Sequence, residues 1–342
     1  MNASSHTPSI RTTVVGSYPV PDWLIALPSQ QALIDATKVV FQIQELAGLD
    51  VVADGELYRW DVNHPDTNGM IEYFIRPMGG IRSTLTRREV EEFRKVEGMG
   101  FRSVPAGVAD GAIDEGTLSL GEDYRRARAC TDHPMKFTLT GPHMLSKTLL
   151  DHHYRDRAGL ALAIGQALAQ QVAELDPEVI QIDEANITGH AEEGEWAAAA
   201  INVVLDAATK VKERGVHLCF GNYGGQSIQK GEWQKLIGFI NRLHCDHVVL
   251  EFAFRGYEEL NFFRDELDPR IGIGLGVIDV KVNTVESPEL VAQRIEAATK
   301  IVGPDRITWV HPDCGFWMNK RSIADRKIAA LVKGRDLFLG NR

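Results

Sequence analysis

Eight short runs of β-branched and apolar residues recur along the 342-residue chain, and each closes on glycine or a polar residue. They are TTVVGS (12–17), DVVADGE (50–56), KFTLTGP (136–142), VIQIDE (179–184), VHLCFGN (216–222), HVVLEFA (247–253), IGLGVID (273–279) and ITWVHPDCG (307–315). Each is close to continuously apolar, the pattern of a strand covered on both faces. Helical patterns lie between them. SQQALIDATKVVFQIQELAGL precedes the second run, GLALAIGQALAQQVAEL the fourth, EWAAAAINVVLDAATKVKERG the fifth and SPELVAQRIEAATKIVG the eighth. Several end in glycine, which stops helices. Strands alternating with helices eight times predict an α/β fold of the (β/α)₈ TIM-type barrel class. A doubly wound open sheet is the alternative, but no GxGxxG opens the first helix.

Residues 57–135 separate the second and third runs and are too many for a simple connection. They contain TLTRREVEEFRKV, a helical pattern, and FRSVPAGVADGAIDEGTLSL, which reads as a hairpin with Gly and Asp at its turns. This segment predicts an insertion on the barrel rim, as a lid or a wall. The chain otherwise reads as one barrel over 1–342, with residues 1–11 as a disordered lead-in. No apolar run is long enough to span a bilayer, and MNASSHTPSIRTT lacks a secretory signal. A formal net charge of −10 argues against nucleic acid and anionic lipid as partners. Four scattered cysteines do not make a disulfide scaffold and point to a reducing cytoplasm.

In a barrel of this class the chemistry gathers where the strands end. Those ends carry Gly16 and Ser17; Asp54 and Glu56; Thr140 and His143; Asp183 and Glu184; His217 and Cys219; Glu251; Asp279; and His311, Asp313 and Cys314. Alternate residues of a strand face the same way, so His217 and Cys219 can approach one point. Glu251 ends the next strand and Cys314 the last. Together they offer N, S, O and S to one ion, a donor set suited to tetrahedral Zn²⁺ and poorly suited to magnesium or calcium. Taken alone, His-x-Cys is weak, because a cysteine in an apolar strand is usually a small core residue. Cys130 and Cys245 have no such company and read as structural.

Zinc bound by two thiolates and a carboxylate is electron-rich and a poor Lewis acid for carbonyls. It suits a substrate thiol, whose ordinary pKa of about 8.5 leaves it mostly protonated at neutral pH. The chemistry implied is S-alkylation.

TTVVGSYP, VVADGE, FTLTGP, IQIDE, HLC and HPDCG, in this order and over nearly the whole chain, resemble the C-terminal catalytic barrel of cobalamin-independent methionine synthase. The resemblance implies zinc on His217, Cys219, Glu251 and Cys314, and homocysteine as the methyl acceptor. It implies an amino-acid site at Val15-Gly16-Ser17, Glu56 and Asp183. Backbone N–H groups and the Ser17 hydroxyl would take the carboxylate, and Glu56 and Asp183 the ammonium.

The departures bear on the methyl donor. The family's full-length enzymes have a second, N-terminal barrel, which is absent from this sequence. Thr148 stands where the family has a folate-stacking tryptophan, and Lys281 where it has a catalytic histidine. The chain is similar to the short, single-barrel members, which implies methylcobalamin, another donor or a donor-delivering protein in preference to methyltetrahydrofolate. Asp183 and Lys281 are the candidates for groups acting at the reacting centre, Lys281 as proton donor or anion contact. His143, His311, the GNYGG run, Trp23 and Trp317 are each open between pocket and structure, and His152-His153 reads as surface. Two other activities compete: alkyl transfer to another thiol such as coenzyme M, and zinc-dependent hydrolysis. A zinc-binding protein without turnover is a third alternative.

Overall fold

The computed structural model describes residues 10–60, 68–95, 102–222 and 225–341. Eight strands form one parallel sheet: β1 (Arg11–Thr12), β2 (Val52–Ala53), β3 (Met135–Thr140), β4 (Val179–Glu184), β5 (Glu213–Leu218), β6 (His247–Leu250), β7 (Gly272–Ile278) and β8 (Ile307–Pro312). Each pairs with its successor from β2 to β8, and β8 pairs with β1 through Arg11↔Trp309 and Thr12↔Val310. A parallel bridge between Thr13 and Val51 closes the ring. The predicted barrel is therefore the observed one. Its register sets Thr140 opposite Asp183 and Asp183 opposite His217, so three strand ends carry polar side chains at one level.

The outer helices follow their sequence signals. Gln30–Ala47 starts at Ser29, whose side chain accepts from Ala32 N, and stops at the left-handed Gly48. Pro288–Val302 starts at Ser287 in the same way. The helical pattern read up to residue 215 ends instead at Ala207, in the helix Gly194–Ala207. The difference has a tertiary cause. Glu213 pairs with Val179, and Arg214 N donates to Asp246 at 2.7 Å, so the neighbouring strands draw these residues into β5.

The insertion differs in detail from its sequence reading. The helix is there, as Arg87–Phe93 with a capping box between Thr86 and Glu89. The hairpin is not local. Within the run read as a hairpin, Gly107–Asp114 is a strand whose antiparallel partner is Gly79–Arg82. Leu149–Asp151, beyond the boundary at 135, adds to it in parallel. Periodicity marks a strand but not its partner, and the partners here lie outside the run. The lead-in also ends earlier than read. Ile10 is buried, and Arg11 belongs to β1 with its guanidinium 3.9 Å from the Trp309 ring centre. Residues 1–9 lie outside the described set. No helix among the described residues is long and apolar enough to cross a membrane.

The helices Arg157–Val172 and Gly194–Ala207 pack closely because Gly165 has no side chain. A Cβ there would stand 2.6 Å from the carbonyl oxygen of Ala200. Alanine gains roughly 1 kcal/mol over glycine in helix propensity. Forcing two packed backbones apart costs about 1–3 kcal/mol. Gly165→Ala is therefore expected to lower the urea midpoint; a raised midpoint would show that propensity wins.

Candidate functional site

A cavity open to solvent lies at the C-terminal ends of the strands. Its wall takes Val15 and Ser17 after β1, Glu56 after β2, Asp183 and Glu184 from β4, and His217 and Cys219 at the end of β5. Cys314 and Trp317 come from the chain after β8. Asn68 and Met70 come from the segment read as an insertion, which thus supplies part of the wall.

The donor atoms of His217, Cys219 and Cys314 lie within 4.8 Å of one another. The two Sγ atoms are 3.9 Å apart. Two sulfurs on one tetrahedral ion, each at about 2.3 Å, would stand about 3.8 Å apart. Both ring nitrogens of His217 are buried without a hydrogen bond, although Nδ1 is 3.5 Å from Asp183 Oδ1. Burial, helped by the charges of His311 and Lys136, pushes His217 well below the usual histidine range. Its ring is then neutral, the form that ligates metals. The Cys219 thiol is pushed well up by its contact with Cys314, by burial and by Glu251. Two thiolates at this spot need a cation, and the donor set fits zinc.

Glu251 stands beside this trio but outside it. It is fully buried, and Lys281 Nζ approaches its carboxylate at 3.2 and 3.4 Å. Burial pushes Glu251 up, and Lys281 opposes that shift. Lys281 also donates to Ser227 Oγ at 2.9 Å and lies 4.4 Å from the Phe254 ring centre. Asp313, which the sequence marked only as a strand-end carboxylate, accepts from the backbone of Phe252, Ala253 and Phe254 at 3.0, 2.9 and 2.7 Å. It therefore shapes the chain that follows Glu251. Burial and the Glu251 charge push Asp313 up to about 7.

The opposite wall is carboxylate-rich. Glu56 adopts a left-handed backbone, φ 59°, unusual for a residue with a side chain, and its N–H donates to Asp54 Oδ1 at 2.8 Å. Thr138 Oγ1 donates to Glu56 Oε1 at 2.6 Å, and Arg59 Nη1 lies 3.4 Å from Oε2. Glu56 also explains Gly16, where a Cβ would stand 2.3 Å from Glu56 Oε1. Burial raises Asp183, and Glu56 raises it further. Sequence reasoning missed Arg59, Gln181 and Lys136 around these carboxylates. The signal available was a lysine inside an otherwise apolar strand.

The remaining candidates divide clearly. His143 is buried behind the cavity wall, with Nδ1 3.0 Å from Glu184 and Nε2 2.7 Å from Glu193. His311 lies in the barrel interior with Nδ1 on the Pro312 carbonyl at 2.7 Å. Both Trp317 and Trp23 are exposed, but only Trp317 lines the cavity. Gly221 and Asn222 of GNYGG line it too; Tyr223 and Gly224 lie outside the described residues. Thr148 is buried, with its hydroxyl on the Leu145 carbonyl at 2.7 Å. His152 and His153 are at the surface, and Cys130 and Cys245 are not part of the trio.

Residues 10–335 match the family model described as cobalamin-independent synthase, catalytic domain. Proteins described as methionine synthase are similar across almost the whole chain. The one from Sulfurisphaera tokodaii is 29% identical, covering 96% of this chain and 92% of its own length. The one from Thermococcus kodakarensis is 29% identical, covering 96% and 94%. The barrel superimposes with a TM-score of 0.78 on a B12-independent methionine synthase from Shewanella sp. solved with selenomethionine, at 24% identity over 96% and 97% of the two chains. A putative vitamin-B12-independent methionine synthase from Listeria monocytogenes gives 0.69, at 18% identity over 97% and 99%. At these identities the two structures bear on fold alone.

The wall behind the cavity has a pH signature. Burial lowers the His143 pKa, but the charges and hydrogen bonds of Glu184 and Glu193 outweigh it, and the value is raised above 6.5. A raised folded value means that the stabilisation is fully present below the unfolded value and is lost as pH climbs through the folded one. The urea midpoint gap between the protein and His143→Gln is thus expected to shrink as pH rises above 6.5. A gap that stays constant with pH would contradict the assignment.

Proposed function

This chain belongs to the family of cobalamin-independent synthase catalytic domains, and from that membership we propose that it transfers a methyl group to the sulfur of homocysteine, forming methionine. One observation carries the proposal. A soft trio, His217, Cys219 and Cys314, opens on the same cavity as the carboxylates of Glu56 and Asp183. A thiol and an ammonium on one small molecule would find both. The names of the similar proteins support the same reading.

In this reading His217, Cys219 and Cys314 hold zinc, with Glu251 as the adjacent fourth candidate. The bound ion supplies a soft Lewis acid that lowers the proton affinity of a thiol and leaves its sulfur nucleophilic. The chain's own residues do the rest. The Gly16–Ser17 backbone and the Ser17 hydroxyl bind the amino-acid carboxylate. Glu56 and Asp183 take its ammonium. Thr138 and Arg59 hold Glu56 in its left-handed position, so no reorganisation is needed when substrate arrives. Lys281 holds a charge beside Glu251 and so opposes protonation of that carboxylate at Oε1 and Oε2. Met70, Met144 and Trp317 cover the reacting sulfur from water.

The donor in this proposal is methylcobalamin, or another methyl carrier brought by a protein, in preference to methyltetrahydrofolate. Thr148 is buried and offers no stacking surface to the cavity. Coenzyme M fits less well as acceptor, because it has no ammonium for Glu56 and Asp183. Hydrolysis fits less well because hydrolytic zinc sites are built from histidine and carboxylate. The four cysteines are free thiols, in keeping with a reducing compartment such as the cytoplasm.

Purified protein with homocysteine and each donor in turn decides the matter by methionine formed. Methionine is expected from methylcobalamin and not from methyltetrahydrofolate. Cys314→Ser is expected to weaken zinc binding by at least about tenfold and to abolish turnover. Full turnover by metal-depleted protein would overturn the proposal.

A further inference from the structure

Beneath the cavity the barrel interior holds a charge that the proposed reaction leaves unused. Lys136, on β3, is 1% exposed. Its Nζ donates to the Val14 carbonyl and, at 2.7 Å, to Gln181 Oε1. Burial pulls the pKa of this group down to about 7, and the charges of Asp183 and Glu56 only partly offset that. No solvent competes for it at this depth, so its acceptors fix its place.

Gln181 turns its amide oxygen towards Lys136 and its amide nitrogen the other way. Gln181 Nε2 donates to Asp183 Oδ1 at 2.7 Å and to the Val15 carbonyl at 2.8 Å. One cation thus anchors the two residues that lead into Gly16 and Ser17. Through one amide it also anchors Asp183. These are the two places proposed above to hold the ends of the amino acid.

We infer that Lys136 is a positioning residue for the amino-acid head of the substrate: through Gln181 it aims Asp183 and fixes the turn at Gly16–Ser17, and so sets affinity and not the rate of methyl transfer. The inference rests on the homocysteine reading. Lys136 lies deep in the barrel and is not part of the cavity lining, so it acts through its neighbours. A lysine that only filled the barrel would leave the amino-acid affinity alone when replaced by an apolar side chain of similar length.

The test uses zinc-loaded protein, homocysteine and methionine as titrants in calorimetry, and steady-state kinetics alongside. Lys136→Met is expected to weaken binding of both amino acids by tenfold or more and to raise KM equally. Its kcat should stay within about threefold and its zinc content should not change. Gln181→Glu keeps an oxygen towards Lys136 but removes the donor to Asp183, and should weaken binding to a similar extent. Unchanged affinity in Lys136→Met, or a loss of kcat at constant KM, overturns the inference. So does unchanged affinity in Gln181→Glu, which alone decides the matter if Lys136→Met does not fold. Wild-type protein that binds neither amino acid overturns the homocysteine reading and this inference with it. Wild-type binding with unaffected variants overturns this inference alone.

Discussion

Negative charge gathered at one end of an apolar barrel is the constraint that organises this molecule. Glu56, Asp183, Glu251, Asp313 and two thiols stand within a few strand ends of each other, and most are buried. Left alone, such groups protonate, because burial disfavours every anion and each anion disfavours the next. Asp183, Asp313, Glu251 and Cys219 are all shifted upward. The chain answers with cations placed one per carboxylate region. Arg59 faces Glu56, Lys281 faces Glu251, and Lys136 lies behind Asp183. Among the described residues the thiol pair has no such side chain, and a divalent metal is the natural answer there.

This balance explains features that would otherwise look arbitrary. Buried cations are expensive unless their donors are used. Arg59 Nη2 donates to the Thr138 carbonyl and hydroxyl at 2.5 and 3.0 Å, and the guanidinium carbon lies 5.5, 5.5 and 5.1 Å from the ring centres of Tyr58, Tyr73 and Phe74. The left-handed backbone at Glu56 costs of order 1 kcal/mol or more. The hydrogen bonds from Thr138 and to Asp54 hold it there. A relaxed backbone would turn the carboxylate out of the cavity that it helps to line.

Much of this was legible in the sequence, for a specific reason. Parallel strands buried on both faces must be apolar, so any polar residue in the runs stands out, and the fold sends strand ends to a common rim. His217, Cys219 and Cys314 stand out that way as candidates, as do Glu56 and Asp183, and the fold brings all five to one cavity. What stayed hidden depends on pairing between distant segments. The sequence showed a strand near 107–114 but not that its partners are 79–82 and 149–151. It showed Glu251 and Lys281 as separate candidates but not that they face each other. Arg59 and Gln181 act through contacts with β3 and β4, and nothing local announces them.

The Glu251–Lys281 pair shows why a donor set read from sequence need not match the set that structure assembles. A carboxylate has two uses for its charge here: a metal at the trio, or an ammonium at 3.2 Å. Both cannot be fully served by the same oxygens. Among the described residues no side-chain cation contacts His217 or the two cysteines; His217 lies on β5, and Cys219 and Cys314 follow β5 and β8 by one and two residues. Glu251 sits one residue past β6, on chain shaped by Asp313 through three backbone N–H groups. What sets it apart from the two cysteines is the counter-ion that its carboxylate already holds. Of the four donors proposed from sequence, the carboxylate is the one the fold leaves free to change partners.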